Sequence, residues 1–404
     1  MDYPKSVPSV GLVNGVFVDE NPLAGTPGSL IPAKWGNSVT QELLTTIIEA
    51  GLVPAEDENN QLCQAIRTLA KLDPRQNFPA QVYRRNLLIN GNFDIWQRGT
   101  TNLNPNTGAF VADRFRCDWN GNAGVNISRQ SFLLGQSEVP HEPRFFYRWQ
   151  QVVAGAGATV HKISQAVESV RTLAGKVATI TFWAKADTSR QVSLTMTQFF
   201  GNGGSVSVVT PVAAFQVKSA WAKYSATFQV PSIAGKVVGA AGNDYLMLSF
   251  DLPLNVLQTL DLAQIQLEES PVATPFENRS PVEELLLCQR YYEKTYKQDT
   301  PPGSATNVVE GCLISIVNMG QSGPASQPLA QWPFKVEKRA IPSISLFRPA
   351  QSGTLGQWRS GSDEVSSANA VSYATSPRGT WVHNSDIGLV SQTYYIHATA
   401  DAEF

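Results

Sequence analysis

The sequence predicts a mainly β protein with a small α-helical N-terminal region, and three observations support this. Residues 86 to 270 are short runs of Val, Ile, Thr, Phe, Tyr and Trp, broken by Gly, Asn or Pro every ten residues or so. Several runs alternate strictly: in "ITFWAKA" Ile180, Phe182 and Ala184 share one face and Thr181, Trp183 and Lys185 the other. Likewise in "YLMLSFDL" Leu246, Leu248 and Phe250 oppose Tyr245, Met247, Ser249 and Asp251. Helical spacing, by contrast, is confined to residues 37 to 85 and to a stretch after residue 280. One apolar and one decorated face per strand means two sheets packed as a sandwich.

The composition agrees. A chain of 404 residues exceeds one ordinary core, and 42% apolar against 16% charged residues supports burial rather than disorder. A formal charge of −2 gives no field to attract a polyanion, so nucleic acid is not an expected partner. The start "MDYPKSVPSVGL" has no apolar core of a signal peptide, and no run approaches a membrane span. Synthesis in a reducing cytosol, without a signal peptide and without membrane insertion, is the expectation. Cys63, Cys117, Cys288 and Cys312 are scattered and are read as free buried thiols.

In chain order, residues 1–36 are rich in Pro and Gly and form an extended arm with little core. Residues 37–85 form a helical hairpin. Ser38 and Gln41 make a capping box, Val39, Leu43, Leu44, Ile47 and Ile48 recur at helical spacing, and Gly51 ends the run. "AEDENN" then opens a second helix through Leu62, Ile66 and Leu69, a pair suited to oligomerisation or docking. Residues 86–270 are the sandwich. Residues 271–298 hold a proline-rich linker pinned by Phe276 and a helix capped by Ser280, with Pro281 at its first position, Glu283 and Glu284 at its positive end, and Lys294 and Lys297 at its negative end. Residues 299–404 read as a smaller β domain through "VSYAT", "GTWV" and "QTYYIHATA".

Candidate chemistry is sparse. His141, His161, His383 and His397 lie far apart without zinc-ligand spacing, and no phosphate-binding glycine loop or nucleophile elbow occurs. A glycosidase needs two carboxylates flanking the sugar bond, and Asp251, Asp261, Glu268 and Glu269 are the candidates. By alternation Asp261 and Glu268 face opposite ways unless a bulge intervenes. No cofactor is expected; a structural Ca²⁺ held by Asn92, Asp94 or Asp261 is the alternative kept open. Surface aromatics suit a pyranose better: Trp183 and Tyr245, with Tyr147 and Trp149 read onto the same outer faces, and Asp251, Gln198 and Lys185 as polar neighbours. The ligand-binding expectation is therefore Trp183, Tyr245, Asp251, Gln198 and Trp149, with covering by a neighbouring subunit or loop as the competing explanation.

Five stretches carry a resemblance: "NLLINGNFDIWQRG", "FVADRF", "ISQAVE", "LAGKVATITFWAKA" and "AQIQLEESPVATPFENRSPVEELLLCQRYYEKTY". In this order, over residues 86 to 296, they resemble a module of phage tail-fibre and related virion proteins. The matching positions are Asn90 to Phe93, Trp96 to Gly99, Asp113, Arg114, Gln165, Glu168, Gly175, Phe182, Trp183 and Gln266 to Glu268, with Phe115 where relatives carry Trp. The resemblance implies that these are structural signatures of a carbohydrate-binding-module-like jelly roll. The arm and the closing "HATADAEF" are similar to fibre ends of phages of Pseudomonas-like hosts.

These likenesses imply a virion tail fibre, a homotrimer fastened to tail or baseplate proteins through its N-terminal region and recognising a host surface glycan or pilus without catalysis. A polysaccharide-depolymerising tailspike and a purely structural baseplate component are the alternatives. "NLLINGNFDIWQRGT" itself reads as a strand through Leu88, Asn90 and Asn92, with Trp96 and Arg98 as packing and hydrogen-bonding anchors.

Overall fold

The computed structural model describes residues 10–14, 16–23, 25, 27–72, 85–304, 309–317, 328–349, 355–360, 369–384 and 392–404. Its contacts divide the chain into two compact units, residues 1–82 and 83–404. Residues 1–9 of the expected arm and 73–84 of the expected hairpin region lie outside the described residues.

In the first unit α1 (Ala33–Glu49) and α2 (Gln61–Leu72) pack around Ile47, Ala50 and Ala65, with Leu52 and Leu69 alongside. Ser38 does not cap. The helix begins five residues earlier, after Pro32, and the Ser38 hydroxyl donates to the Lys34 carbonyl at 2.9 Å inside it. Gly51, at φ 76°, ends α1 in the left-handed conformation that glycine adopts without a Cβ penalty. Leu43, Ile48, Leu62 and Ile66 stay exposed, and so does Cys63, against the expectation of a buried thiol.

The second unit opens with β1 (Thr101–Leu103), β2 (Ala109–Phe110), β3 (Arg116–Trp119) and β4 (Gly124–Ser131). Eight longer strands follow: β5 (Phe145–Val153), β6 (His161–Glu168), β7 (Val177–Ala186), β8 (Arg190–Phe199), β9 (Val208–Val217), β10 (Ala222–Gln229), β11 (Tyr245–Asp251) and β12 (Gln258–Glu268). They pair antiparallel into a first sheet, β1-β4-β5-β12-β7-β10, and a second, β2-β3-β6-β11-β8-β9. The alternate winding of β5 to β12 between the sheets is the jelly-roll order. Ile180, Phe182, Leu194, Met196, Leu246, Leu248 and Phe250 meet in the core between them, so the alternation of β7 and β11 was correctly legible.

Beyond α3 (Pro281–Gln289) come β13 (Tyr292–Lys294), β14 (Leu313–Val317), β15 (Pro328–Pro333), β16 (Ser343–Phe347), β17 (Arg359–Ser360), β18 (Ala370–Ser376), β19 (Gly379–Asn384) and β20 (Gln392–Asp401). β20 pairs with β13, β14, β16 and β17, while β15-β19-β18 form a second small sheet over a core of Trp332, Trp358, Val382 and Ile396. Mainly β, with a jelly roll in the middle and smaller sheets at the C-terminal end, is the architecture that was expected.

Three local expectations fail. α3 is capped by Ser280, whose hydroxyl accepts from the Glu283 N–H at 3.2 Å, but it stops at Gln289; Lys294 lies in β13 and is buried. Phe276 is only half-buried; polar bonds pin the linker, with Glu268 accepting from the Thr274 N–H at 2.9 Å and hydroxyl at 2.7 Å. Finally, "NLLINGNFDIWQRGT" forms no strand, because Asn90 and Phe93 turn left-handed at φ 62° and 56°.

Candidate functional site

The outward face of the second sheet carries a set of polar and aromatic side chains. Register sets them in rows across the strands. Asp118, Lys162, Asp251 and Ser193 form one row, and Arg116, Ser164, Ser249 and Thr195 the next. Ala166, Met247 and Thr197 follow, then Glu168, Tyr245 and Phe199. Outer and inner positions alternate because the strand period is two, so the pattern that puts Leu248 in the core puts Ser249 on this face. The rows run about 20 Å along the strands and about 14 Å across four of them.

Charge collects at one end. The Asp251 carboxylate accepts from the Thr195 hydroxyl at 3.0 Å and lies 3.6 Å from the Lys162 ammonium. Arg116 donates twice to Asp118, at 2.8 and 3.0 Å. The other end sets rings beside Glu168: Tyr245 packs on Phe199 (centroids 4.8 Å apart) and meets Phe404 edge-on at 5.1 Å. Phe110, Ala166, Met247, Tyr245 and Phe404 line a small recess there with Arg114, Arg116 and Ser164. Burial raises the Tyr245 phenol above its ordinary value, so it remains a neutral hydroxyl. Between the ends, Ser164 and Ser249 form the floor, and their buried hydroxyls have no hydrogen-bond partner among the described residues.

The five expected ligand residues do not assemble. Tyr245 and Asp251 share the face just described. Gln198 faces inward, 1% exposed, its amide donating to the Pro231 carbonyl at 3.0 Å. Trp149 is fully buried in the core beside Tyr147, which corrects the outer-face reading of both rings. The run "FFYRW" is aromatic on both sides, and even its outward ring, Phe146, is buried against Phe132 and Trp221. Trp183 belongs to the other sheet. It is half-buried on that sheet's outer face against Val139, Phe146, Trp221 and Ala263, so it cannot join Tyr245 in one site. The sequence reading passed over Lys162, Ser164 and Thr195, although the alternation of "HKIS" and "SLTM" carries them.

The carboxylate expectation needs a different correction. β12 does bulge, between Ala263 and Gln266 with Gln264 at φ 47°, so Asp261 and Glu268 share one face. Their partners on β7, Lys185 and Thr179, are six residues apart. That is about 20 Å, well beyond the roughly 5–10 Å that separates glycosidase carboxylates. Arg148 grips Asp261 through two hydrogen bonds, at 2.7 and 2.8 Å, with Lys185 at 3.9 Å. Asn92 instead donates to Asp94 at 3.0 Å, and no three metal-binding acids, histidines or cysteines gather among the described residues.

The signature positions stitch the molecule together. Gln165 forms a two-way amide pair with Ile89, donating to its carbonyl at 2.8 Å and accepting from its N–H at 2.7 Å. Asp113 accepts from the Gln97 amide at 2.6 Å, and Arg98 reaches Asp401 at 3.0 Å and lies 3.6 Å over the Tyr292 ring. Arg114 pairs with Glu403 and stacks on Tyr291. Trp96 is buried, donating to the Phe93 carbonyl at 2.7 Å. Trp96 and Arg98 are thus the anchors the sequence suggested, although the backbone around them is not a strand.

No family model matches the chain, and no curated protein matches it. Among solved structures the chain is similar to the enzymatically active domain of bacteriophage CBA120 tailspike protein 4, at 13% identity and TM-score 0.30 over 46% of this chain and 21% of that one. A putative sugar binding protein from Bacteroides thetaiotaomicron is similar at 14% identity and TM-score 0.29, over 46% of this chain and all of that one. The CBM22-1 xylan-binding domain of Paenibacillus barcinonensis Xyn10C is similar at 13% identity and TM-score 0.27, over 43% and 99%. The chain thus spans about a fifth of the tailspike domain and nearly the whole of the two smaller modules.

Proposed function

We propose that the protein is a non-catalytic attachment protein of a phage tail, and that the outward face of its second sheet binds a host surface saccharide. The observation that carries this reading is the face itself, with Lys162, Asp251 and Thr195 clustered at one end and the Tyr245, Phe199 and Phe404 rings at the other. A sugar offers what the face lacks: an apolar C–H surface for the Tyr245 and Phe404 recess, and hydroxyls for Lys162, Asp251 and Thr195. Tail membership, attachment through the N-terminal unit and a trimeric state come from the sequence resemblance. Three copies would let weak single sites hold a particle through avidity.

The test is retention on polysaccharide extracted from the host surface. Lys162→Ala and Tyr245→Ala should each weaken binding about tenfold, equivalent to about 1.4 kcal/mol, with unchanged thermal unfolding. Binding indifferent to both variants sinks the reading. Release of reducing ends from the same extract would favour the depolymerising enzyme instead.

A further inference from the structure

The outer face of the small β15-β19-β18 sheet carries two large rings in register. Tyr373 of β18 lies directly opposite Trp381 of β19, and Trp381 lies opposite Gln331 of β15. The opposite sides of the same strands, Ala330, Trp332, Val382 and Ala370, build the C-terminal core. Strand alternation therefore fixes Tyr373 and Trp381 outward, and they are 65% and 39% exposed. Directly opposed residues have Cβ atoms about 5 Å apart, so the rings present adjoining surfaces.

Two details set this pair apart from ordinary surface aromatics. Among the described residues, no second ring, cation or hydrogen-bond acceptor engages the Trp381 indole, whose N–H is left for a ligand oxygen. Among the described residues the Tyr373 ring meets His383, edge-on at 5.7 Å. Immediately after Tyr373 the register shifts and Ala374 turns left-handed at φ 49°, a conformation costly for a residue with a Cβ. The bulge re-aims the strand at Tyr373, and such strain gathers at binding positions.

We propose that Tyr373 and Trp381 form a second saccharide platform, distinct from the face of the large sheet, on which a neutral pyranose stacks its C–H side while Gln331 meets its hydroxyls. A protein partner fits poorly by area. Aromatic side chains bury about 150–250 Å² each, so at these exposures the pair offers roughly 200 Å², against about 800 Å² per partner for a stable protein interface. A sugar ring needs no more than the pair provides, and aromatic faces with an amide at the rim match its chemistry.

The test uses the full chain titrated with dextran, mannan and galactan, followed by tryptophan emission. One of these polymers should shift the emission, and Trp381→Phe should abolish the shift while binding, read by retardation in native gels containing the polymer, stays within about twofold. Tyr373→Ala and Trp381→Ala should each weaken that binding about tenfold, and both should melt with the parent because they alter exposed rings. Tyr245→Ala should leave this titration unchanged, which separates it from the large-sheet site. No shift with any polymer overturns the platform. So does a shift that survives Trp381→Ala, or concentration-dependent self-association of the parent that the same substitution removes.

Discussion

Gly91 leaves no room for a side chain. A Cβ there would stand 2.2 Å from the Ile265 carbonyl oxygen, on the β12 bulge, and 3.0 Å from the Asn86 amide nitrogen. The Ile265 N–H in turn donates to the Gly91 carbonyl at 2.9 Å, so the lead-in segment is tied to the bulge by backbone. Asn90 supplies the left-handed turn and satisfies it. Its amide donates to the Ile95 and Asp113 carbonyls at 2.8 and 3.0 Å, and its oxygen accepts from the Ile95 N–H at 2.9 Å. Small polar residues tolerate that conformation because they can hydrogen-bond locally. Gly91→Ala must displace backbone, and we expect a loss of about 2–4 kcal/mol, read as a lower urea midpoint at unchanged slope. A midpoint within error of the parent would show that the bulge yields freely. The sequence reading ran a strand through the "NG" pair, and its partner at Ile265 was hidden as well, because it lies far along the chain on an irregularity without a sequence signal.

At the scale of elements, what the sequence disclosed depended on how many faces a strand had to satisfy. β7 and β11 were legible since one side of each is apolar and the other mixed. β5 was not: Phe146 joins an aromatic cluster outside the sheet while Tyr147 and Trp149 fill the core, so both sides look alike. The end of α3 was obscured for another reason. Arg290 and Tyr291 follow the helix, and both engage Glu168 at the end of β6: the guanidinium at 2.6 and 2.8 Å, the phenol at 2.6 Å. A partner in a distant strand thus ends the helix before Lys294. Burial pushes the Glu168 carboxyl up, but the Arg290 and Tyr291 bonds outweigh it and hold it below its ordinary value of 4.5. A folded-state value below the unfolded one means the pair stabilises above pH 4.5, and that contribution vanishes as pH falls through the folded value. For this half-exposed group Glu168→Gln should cost about 1 kcal/mol at pH 7 and almost nothing near pH 3, measured by urea unfolding at both values. An equal cost at both pH values would assign the loss to packing instead of charge.

Across the second unit, the sandwich and the smaller sheets share buried charges that neither could keep alone. Arg114, 1% exposed, is contributed by the jelly roll, and its carboxylate partner Glu403 follows β20. The ammonium of Lys294, in β13, donates to the Gln97, Gln298 and Thr300 carbonyls at 2.6, 2.9 and 2.8 Å. Lys338, fully buried, meets Glu293 at 2.6 Å, joining the segment after β15 to β13. Breaking a buried pair by removing one partner costs about 3–5 kcal/mol, because the remaining charge is left without water or counterion. Residues 83–404, which carry all of these pairs, should therefore unfold in one calorimetric transition, and a chain ended after Gln298 should melt much lower or fail to fold. Two resolved transitions, or a shortened chain as stable as the parent, would mean that the sandwich carries its own stability. Coupling of this kind hides from a sequence reading: Arg98 and Asp401, or Arg114 and Glu403, lie some three hundred residues apart, and each alone resembles an ordinary surface charge. It also couples the two proposed binding faces within one compact unit. A substitution at Lys338 should then weaken saccharide binding at both Tyr245 and Trp381 by lowering the folded fraction, whereas a substitution at either ring should affect only its own face.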